Sequence, residues 1–262
     1  MHAPAAPPPI DPQLLLLAYR SGIFPMADAR DDPEVFWVEP RRRAILPLDG
    51  FHCSHSLTKV LRRGAFTVTC NAAFAAVIEA CAYPRRDGDQ TWISGRIAQS
   101  YIALHELGQA HSIECWQDDE LVGGLYGVGF DRVFCGESMF SRRTNASKVA
   151  LAWLVAALRR GGTRLLDCQF MTGHLASLGA QQISQAEYLD RLRQAQRPVV
   201  ADADGLGEGL ALGDGDGLGN AEGLADGARL PAGFAALLGD AAGAGLSSSP
   251  GNFIAQSLTH TS

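Results

Sequence analysis

The chain has 262 residues, 47% of them hydrophobic and 19% charged, with a formal net charge of -6. This composition supports one or two ordinary globular cores and excludes a wholly disordered or fibrous protein. The longest apolar runs, such as Leu14 to Ala18 and Val149 to Leu158, fall short of the roughly 20 residues needed to cross a bilayer. The Ala/Pro-rich stretch Met1 to Pro9 lacks the basic and then apolar layout of a secretory signal, so a cytoplasmic location is expected. Six cysteines (Cys53, Cys70, Cys81, Cys115, Cys135, Cys168) are scattered without a CxxC pair and are expected to be buried, reduced thiols.

The elements follow in chain order. Asp11 and Pro12 read as an N-cap and first helical residue of a short helix closed by Gly22. Ile23 to Pro25 and Phe36 to Pro40 are aromatic segments broken by prolines, suited to extended structure. Ser54 or Ser56 caps a helix bearing Leu57, Val60 and Leu61, with Lys59, Arg62 and Arg63 on its polar side and Gly64 as its stop. Phe66 to Cys70 alternates like a strand, and Asn71 is expected to cap a helix with Phe74, Val77, Ile78 and Cys81 on one face. After a polar loop, Tyr83 to Gln90, a helix is expected from about Ser94 to Leu107. His111 to Trp116 and Glu120 to Gly127, separated by Asp118 and Asp119, form a hairpin signal, and Arg132 to Cys135 is a third strand. A helix Ala146 to Arg160 leads to a strand Thr163 to Phe170, and Ser184 with Glu187 is a capping box opening one more helix. This order predicts a mixed α/β (α+β) sheet.

Charge is unevenly spread. From Pro198 onward there are eight acidic residues and one basic residue, Arg229, whereas residues 1–197 carry 21 basic against 20 acidic residues. Thirteen glycines between Gly205 and Gly245 mark residues 198–262 as a low-complexity tail, expected to be disordered. Asp214, Asp216 and Leu218 brush against a calcium-loop pattern that fails at Leu218 and Ala225. Basic clusters at Arg41 to Arg43, Lys59 with Arg62 and Arg63, Arg85 with Arg86, and Arg142 with Arg143 and Lys148 suit either phosphate binding or a solvated surface.

Nucleophilic and metal chemistry find little support. His52 to His55 reads as turn and cap, since four adjacent side chains rarely converge on one point, and His105, His111 and His174 are scattered, so each is expected to be a satisfied structural histidine. In a strand, Asp167 and Gln169 would share one face and Cys168 would point away from them. Glu137, in Gly136 to Ser141, and Asp167 are two carboxylates among apolar strands. They suit either chemistry or pairing with Arg142 or Arg164.

Longer motifs carry more. Ala18 to Pro25, Thr91 to Ile93, His105 to Glu114, Glu120 to Gly127, Gly136 to Ser141 and Asp167 to Gln169 together resemble the leucyl/phenylalanyl-tRNA–protein transferase family across roughly Leu14 to Leu192. The resemblance implies an N-terminal arm and small domain (1–42), a GNAT-like aminoacyltransferase domain (43–197) and the tail (198–262). It implies transfer of Leu or Phe from charged tRNA to the N-terminal amine of proteins that begin with Arg or Lys, marking them for N-degron proteolysis, with no metal and no cofactor. By the same resemblance Asp167 and Gln169 are catalytic, and Glu137 binds the acceptor's Arg or Lys side chain. Leu125, Met139, Leu151, Leu154 and Leu158 form the donor side-chain pocket, and Trp92 and Met26 lie at the tRNA 3′-adenosine, where familiar members have tryptophan in place of Met26 and phenylalanine in place of Leu154. Lys59, Arg62 and Arg63 are the tRNA-binding candidates. The competing expectations are an acetyl-CoA-dependent acetyltransferase on the same fold, for which Arg85 to Gln90 is an incomplete pyrophosphate loop, and a non-catalytic binder of tRNA or peptide.

Overall fold

A computed structural model describes residues 7–83, 91–198, 227, 229–246 and 249–259. The pyrophosphate-loop and calcium-loop segments, Arg85 to Gln90 and Asp214 to Ala225, lie outside them. Helix α1 (Pro12–Arg20) starts where Asp11 accepts hydrogen bonds from the Gln13 and Leu14 amides, and its chain reverses at Gly22, whose φ of 85° favours glycine. Strands β1 (Phe24–Met26) and β2 (Phe36–Val38) then form a separate two-stranded antiparallel sheet. Next come β3 (Arg42–Ile45), α2 (His55–Arg62, capped by Ser54), β4 (Thr67–Cys70), α3 (Phe74–Cys81) and α4 (Gly95–Glu106, capped by Ser94). The meander β5 (Ala110–Gln117), β6 (Glu120–Phe130) and β7 (Val133–Ser141) turns first at Asp118 and Asp119, both with positive φ. Helix α5 (Ala146–Arg160), β8 (Leu165–Asp167), α6 (Gly173–Ser177), β9 (Gln181–Ser184) and α7 (Gln185–Gln196, capped by Ser184) follow.

Seven strands form one mixed sheet in the order β4-β5-β6-β7-β8-β3-β9, with β7 and β8 parallel and the other pairs antiparallel. The expected mixed α/β class is therefore the observed one. One core packs α5 and α2 against the sheet, and a second gathers side chains of α1, α3, α4 and α7. Among the described residues no helix is long and apolar enough to cross a membrane, and none of the six cysteines forms a disulfide.

Three expectations need correction. Asn71 does not cap α3: it has a φ of 60°, its side chain accepts from the Ser112 amide, and the buried Glu114 carboxylate faces the Ala72 and Ala73 amides instead. The strand expected over Thr163 to Phe170 spans only Leu165–Asp167. Of the tail expected to be disordered, residues 199–226 lie outside the described ones, and the part that follows holds two helices, α8 (Arg229–Gly243) and α9 (Pro250–Thr259). Leu230, Phe234 and Leu237 of α8 and Ile254 and Leu258 of α9 are buried in the same core as α5, with Trp153 against Phe234 at a ring-centroid distance of 5.3 Å. A Cβ at Gly233 would meet the Ala157 carbonyl oxygen, so glycine permits this close helix approach. Every residue from Val149 to Leu158 is buried, because the sheet covers one side of α5 and these helices cover the other.

Candidate active site

A cavity of about 350 Å³ opens where β6, β7, the middle of α5 and the turn after β8 converge. Its apolar wall includes Leu125, Met139, Leu151 and Leu154; Glu137 and Gln169 supply polar groups, and Trp92, Phe170 and His174 also line it. Leu158, one turn beyond Leu154 on α5, is fully packed in the core and does not reach the cavity. The i, i+3, i+7 spacing puts the three leucines on one face, but the cavity ends before the third. A larger cleft of about 490 Å³, between β3, β8 and α7, is lined by Arg132, Arg164 and Arg191 without a carboxylate, thiol or imidazole, whereas the smaller cavity holds all three.

Glu137 owes its position to a β-bulge. Tyr126 pairs with Ser138 and Gly127 with Gly136, leaving Glu137 as the extra residue of β7, and such a bulge re-aims a side chain. The Tyr101 hydroxyl donates to its Oε2 at 3.1 Å and the Gln169 Nε2 to its Oε1 at 2.7 Å; behind Tyr101 lies a hydrogen bond to the Tyr19 hydroxyl. Burial pushes the Glu137 pKa up to about 7, which the Tyr19 hydroxyl only partly offsets. The carboxyl group thus changes charge near neutrality.

Asp167 does not line the cavity. It is fully buried behind the cavity wall, where Arg43 Nε and Nη2 donate to its two oxygens at 2.9 and 2.5 Å and the Tyr188 hydroxyl donates at 3.1 Å. The Arg43 guanidinium also donates to the Gly22 carbonyl at 3.1 Å and lies over the rings of Phe24 and Tyr188. Burial alone would lower the Arg43 pKa; the adjacent Asp167 carboxylate outweighs it and holds the pKa above the usual arginine value. Arg43, read from sequence as part of a surface cluster, is therefore the partner of Asp167, in place of Arg142 or Arg164. Asp167 reaches the site through the backbone: its Oδ1 accepts from the Gln169 amide at 2.9 Å.

Because the strand ends at Asp167 and Gln169 has a φ of 52°, the expected alternation fails. Cys168 and Gln169 both line the cavity and Asp167 points away. Burial, followed by the nearby Asp167, raises the Cys168 pKa, which keeps it a thiol at neutral pH and unsuited to nucleophilic attack. Trp92 lines the cavity, and its carbonyl accepts from the Ala27 amide at 3.2 Å. Met26 is half-buried in the neighbouring core and does not line it. Phe170, which sequence reasoning missed, is 47% exposed and packs edge-on against Phe24. Lys59, Arg62 and Arg63 are exposed on α2, away from the cavity wall. His105 and His111 are structural: the first bonds the Ala110 carbonyl and stacks on Phe74, and the second is held between Asn71 and the Gly227 carbonyl. His174 departs from the expectation, because its Nε2 is buried without a hydrogen-bond partner.

The cavity thus joins an apolar wall to a carboxylate and an amide, beside a thiol held protonated. Residues 45–193 match the family profile described as leucyl/phenylalanyl-tRNA protein transferase, and residues 9–41 match the profile of that family's N-terminal domain. The chain is 65% identical over 98% of its length to the leucyl/phenylalanyl-tRNA–protein transferase of Novosphingobium aromaticivorans, of which 98% is covered. It is 56% identical to the transferase of the same name from Zymomonas mobilis, over 74% of this chain and 73% of that one. With that of Cereibacter sphaeroides it shares 58% identity, over 72% of this chain and 86% of the relative. The chain belongs to the leucyl/phenylalanyl-tRNA–protein transferase family.

Proposed function

We propose that this enzyme transfers Leu or Phe from the 3′ end of charged tRNA to the α-amino group of cytoplasmic proteins that begin with Arg or Lys, marking them for N-degron proteolysis. The observation that carries the reading is the Glu137–Gln169 pair at one side of an apolar cavity. In this reaction the acceptor nitrogen attacks the ester carbonyl, a C–N bond forms, the bond to the ribose oxygen breaks, and a proton passes from the amine to that oxygen. The ester is already activated, and an N-terminal amine with a pKa of about 7.7–8.0 is partly neutral near pH 7, so positioning supplies much of the catalysis.

Leu125, Met139, Leu151 and Leu154 would hold the donor side chain. Glu137 Oε1 already accepts from Gln169 Nε2, which leaves the amide oxygen of Gln169 to accept from the incoming amine. Asp167 orients Gln169 from behind rather than touching substrate. The ionised Glu137 suits a guanidinium or ammonium group. Trp92 and Phe170, rather than Met26, offer aromatic faces for the terminal adenosine. Lys59, Arg62 and Arg63 suit tRNA phosphates, which would make binding weaken with salt.

The test is transfer from charged leucine tRNA to a peptide that begins with Arg. Gln169→Ala is expected to lower the single-turnover rate at least tenfold, toward the about 10²–10⁴-fold that a positioned proton-handling group contributes. A wild-type protein that transferred acetyl groups from acetyl-CoA and no amino acid would overturn the reading.

The raised pKa of Glu137 yields a pH prediction. The acidic form persists up to about pH 7, so the anion that binds a cationic side chain grows as pH rises through that value. Between pH 6 and 8 the KM for an Arg-starting peptide should fall by about tenfold, while donor binding stays flat. Glu137→Gln should remove the carboxylate's share of that change and leave only the titration of the acceptor amine; a profile identical in the variant would show that Glu137 contributes none of it. For stability the sign is the reverse: the contribution from protonated Glu137 is present at low pH and lost as pH rises through about 7.

A further inference from the structure

His174 lines the donor cavity yet has no task in the reading above. Its backbone is pinned: Thr172 caps α6 by accepting from the Leu175 amide at 3.2 Å, and the Ser177 hydroxyl donates to the His174 carbonyl at 2.7 Å. Its Nε2 is shut off from solvent and meets no protein hydrogen-bond partner. Buried polar atoms are nearly always partnered in folded proteins, so one on a side chain that lines a binding cavity marks where a ligand presents a complementary atom once the ring turns toward it. Burial, and then the nearby Lys148, lowers the imidazole pKa, leaving a neutral ring with one N–H donor and one acceptor nitrogen.

The donor offers few groups of the right kind. Its side chain is apolar and has nothing to bond. Its α-ammonium is disfavoured beside Lys148, a like charge. What remains is oxygen: the ester oxygens and the ribose 2′-hydroxyl. We propose that His174 is a positioning residue whose Nε2 hydrogen-bonds an oxygen of the donor's ester–ribose unit, holding the carbonyl in line for the amine bound at Gln169. The assignment rests on the proposed aminoacyl transfer, and it adds a donor-side contact to the acceptor-side pair Glu137 and Gln169.

The experiment measures single-turnover transfer by full-length wild type, His174→Ala and His174→Gln, with tRNA charged on a normal or a 2′-deoxy terminal adenosine. A wild type that transferred nothing would refute the transfer reading itself, whatever the variants did. With the normal donor, His174→Ala should lower kcat/KM at least tenfold at unchanged KM for the acceptor peptide, and His174→Gln, whose amide reaches close to the Nε2 position, should recover most of it. If the partner is the hydroxyl, His174→Ala causes no further loss with the 2′-deoxy donor; if it is an ester oxygen, the loss persists and falls on kcat. Unchanged transfer by His174→Ala, or a loss that His174→Gln does not recover, overturns the proposal.

Discussion

Asp167→Ala is expected to destabilise the fold by about 3–5 kcal/mol, because it leaves a buried charge without its partner. Arg43 and Asp167 are 1% and 0% exposed, so water cannot screen or replace the lost contact. Arg43→Ala should cost a similar amount for the same reason. Replacing both residues together with apolar side chains should recover part of it, as removal of a whole buried pair is often near neutral. The resemblance alone suggests that Asp167→Ala would silence the reaction and leave the fold intact; the geometry instead makes stability the first loss. Asp167→Asn separates the two roles, since it keeps an oxygen for the Gln169 amide but loses the charge. Urea melts of the four variants check the series, and an Asp167→Ala protein as stable as wild type would remove Asp167 from the framework.

Truncation after Arg197 should unfold or severely destabilise the enzyme. Its acidic residues suggest a tail that competes with RNA and whose removal tightens tRNA binding, but α8 and α9 bury Leu230, Phe234, Leu237, Ile254 and Leu258 in the α5 core. At about 1.5–3 kcal/mol for each buried side chain, five of them contribute on the order of 10 kcal/mol before the entropy of ordering two helices is set against it. That is comparable with the whole stability of a typical domain, about 5–15 kcal/mol. Phe234→Ala, a smaller probe, should cost about 3–5 kcal/mol. Thermal melts of the full-length, truncated and Phe234→Ala proteins decide the matter: equal melting temperatures would return the tail to a solubilising role.

Elements announced by their own residues were legible in the sequence. The caps Asp11, Ser54 and Ser184, the Asp118-Asp119 turn and the spacing of Phe74, Val77, Ile78 and Cys81 each act within a few residues, and the structure places them accordingly. What depends on distant partners was not legible. Arg41 to Arg43 looked like a surface cluster because nothing nearby in sequence signals that Arg43 meets Asp167, 124 residues away. The end of β8 at Asp167 and the left-handed turn at Gln169 left no local mark either. The C-terminal helices are different, because their signal was present: Leu230, Phe234, Leu237 and Ala241 recur at helical spacing. The unbroken apolar run Val149 to Leu158 also called for cover on both sides. Glycine content obscured a pattern that periodicity carries.

The bulge at Glu137 separates what holds the sheet together from what, on the proposed reading, meets the acceptor. A residue inside the ladder is constrained by the partner across from it, whereas the bulged residue has no such partner in β6. Substitution at this position therefore changes the charge offered to an incoming N-terminus while the pairs on either side, Tyr126 with Ser138 and Gly127 with Gly136, stay in register. With Glu137 meeting the acceptor as proposed, acceptor choice becomes an interchangeable fitting on a fixed frame, and libraries that vary position 137 are the direct route to enzymes that label proteins with other N-terminal residues.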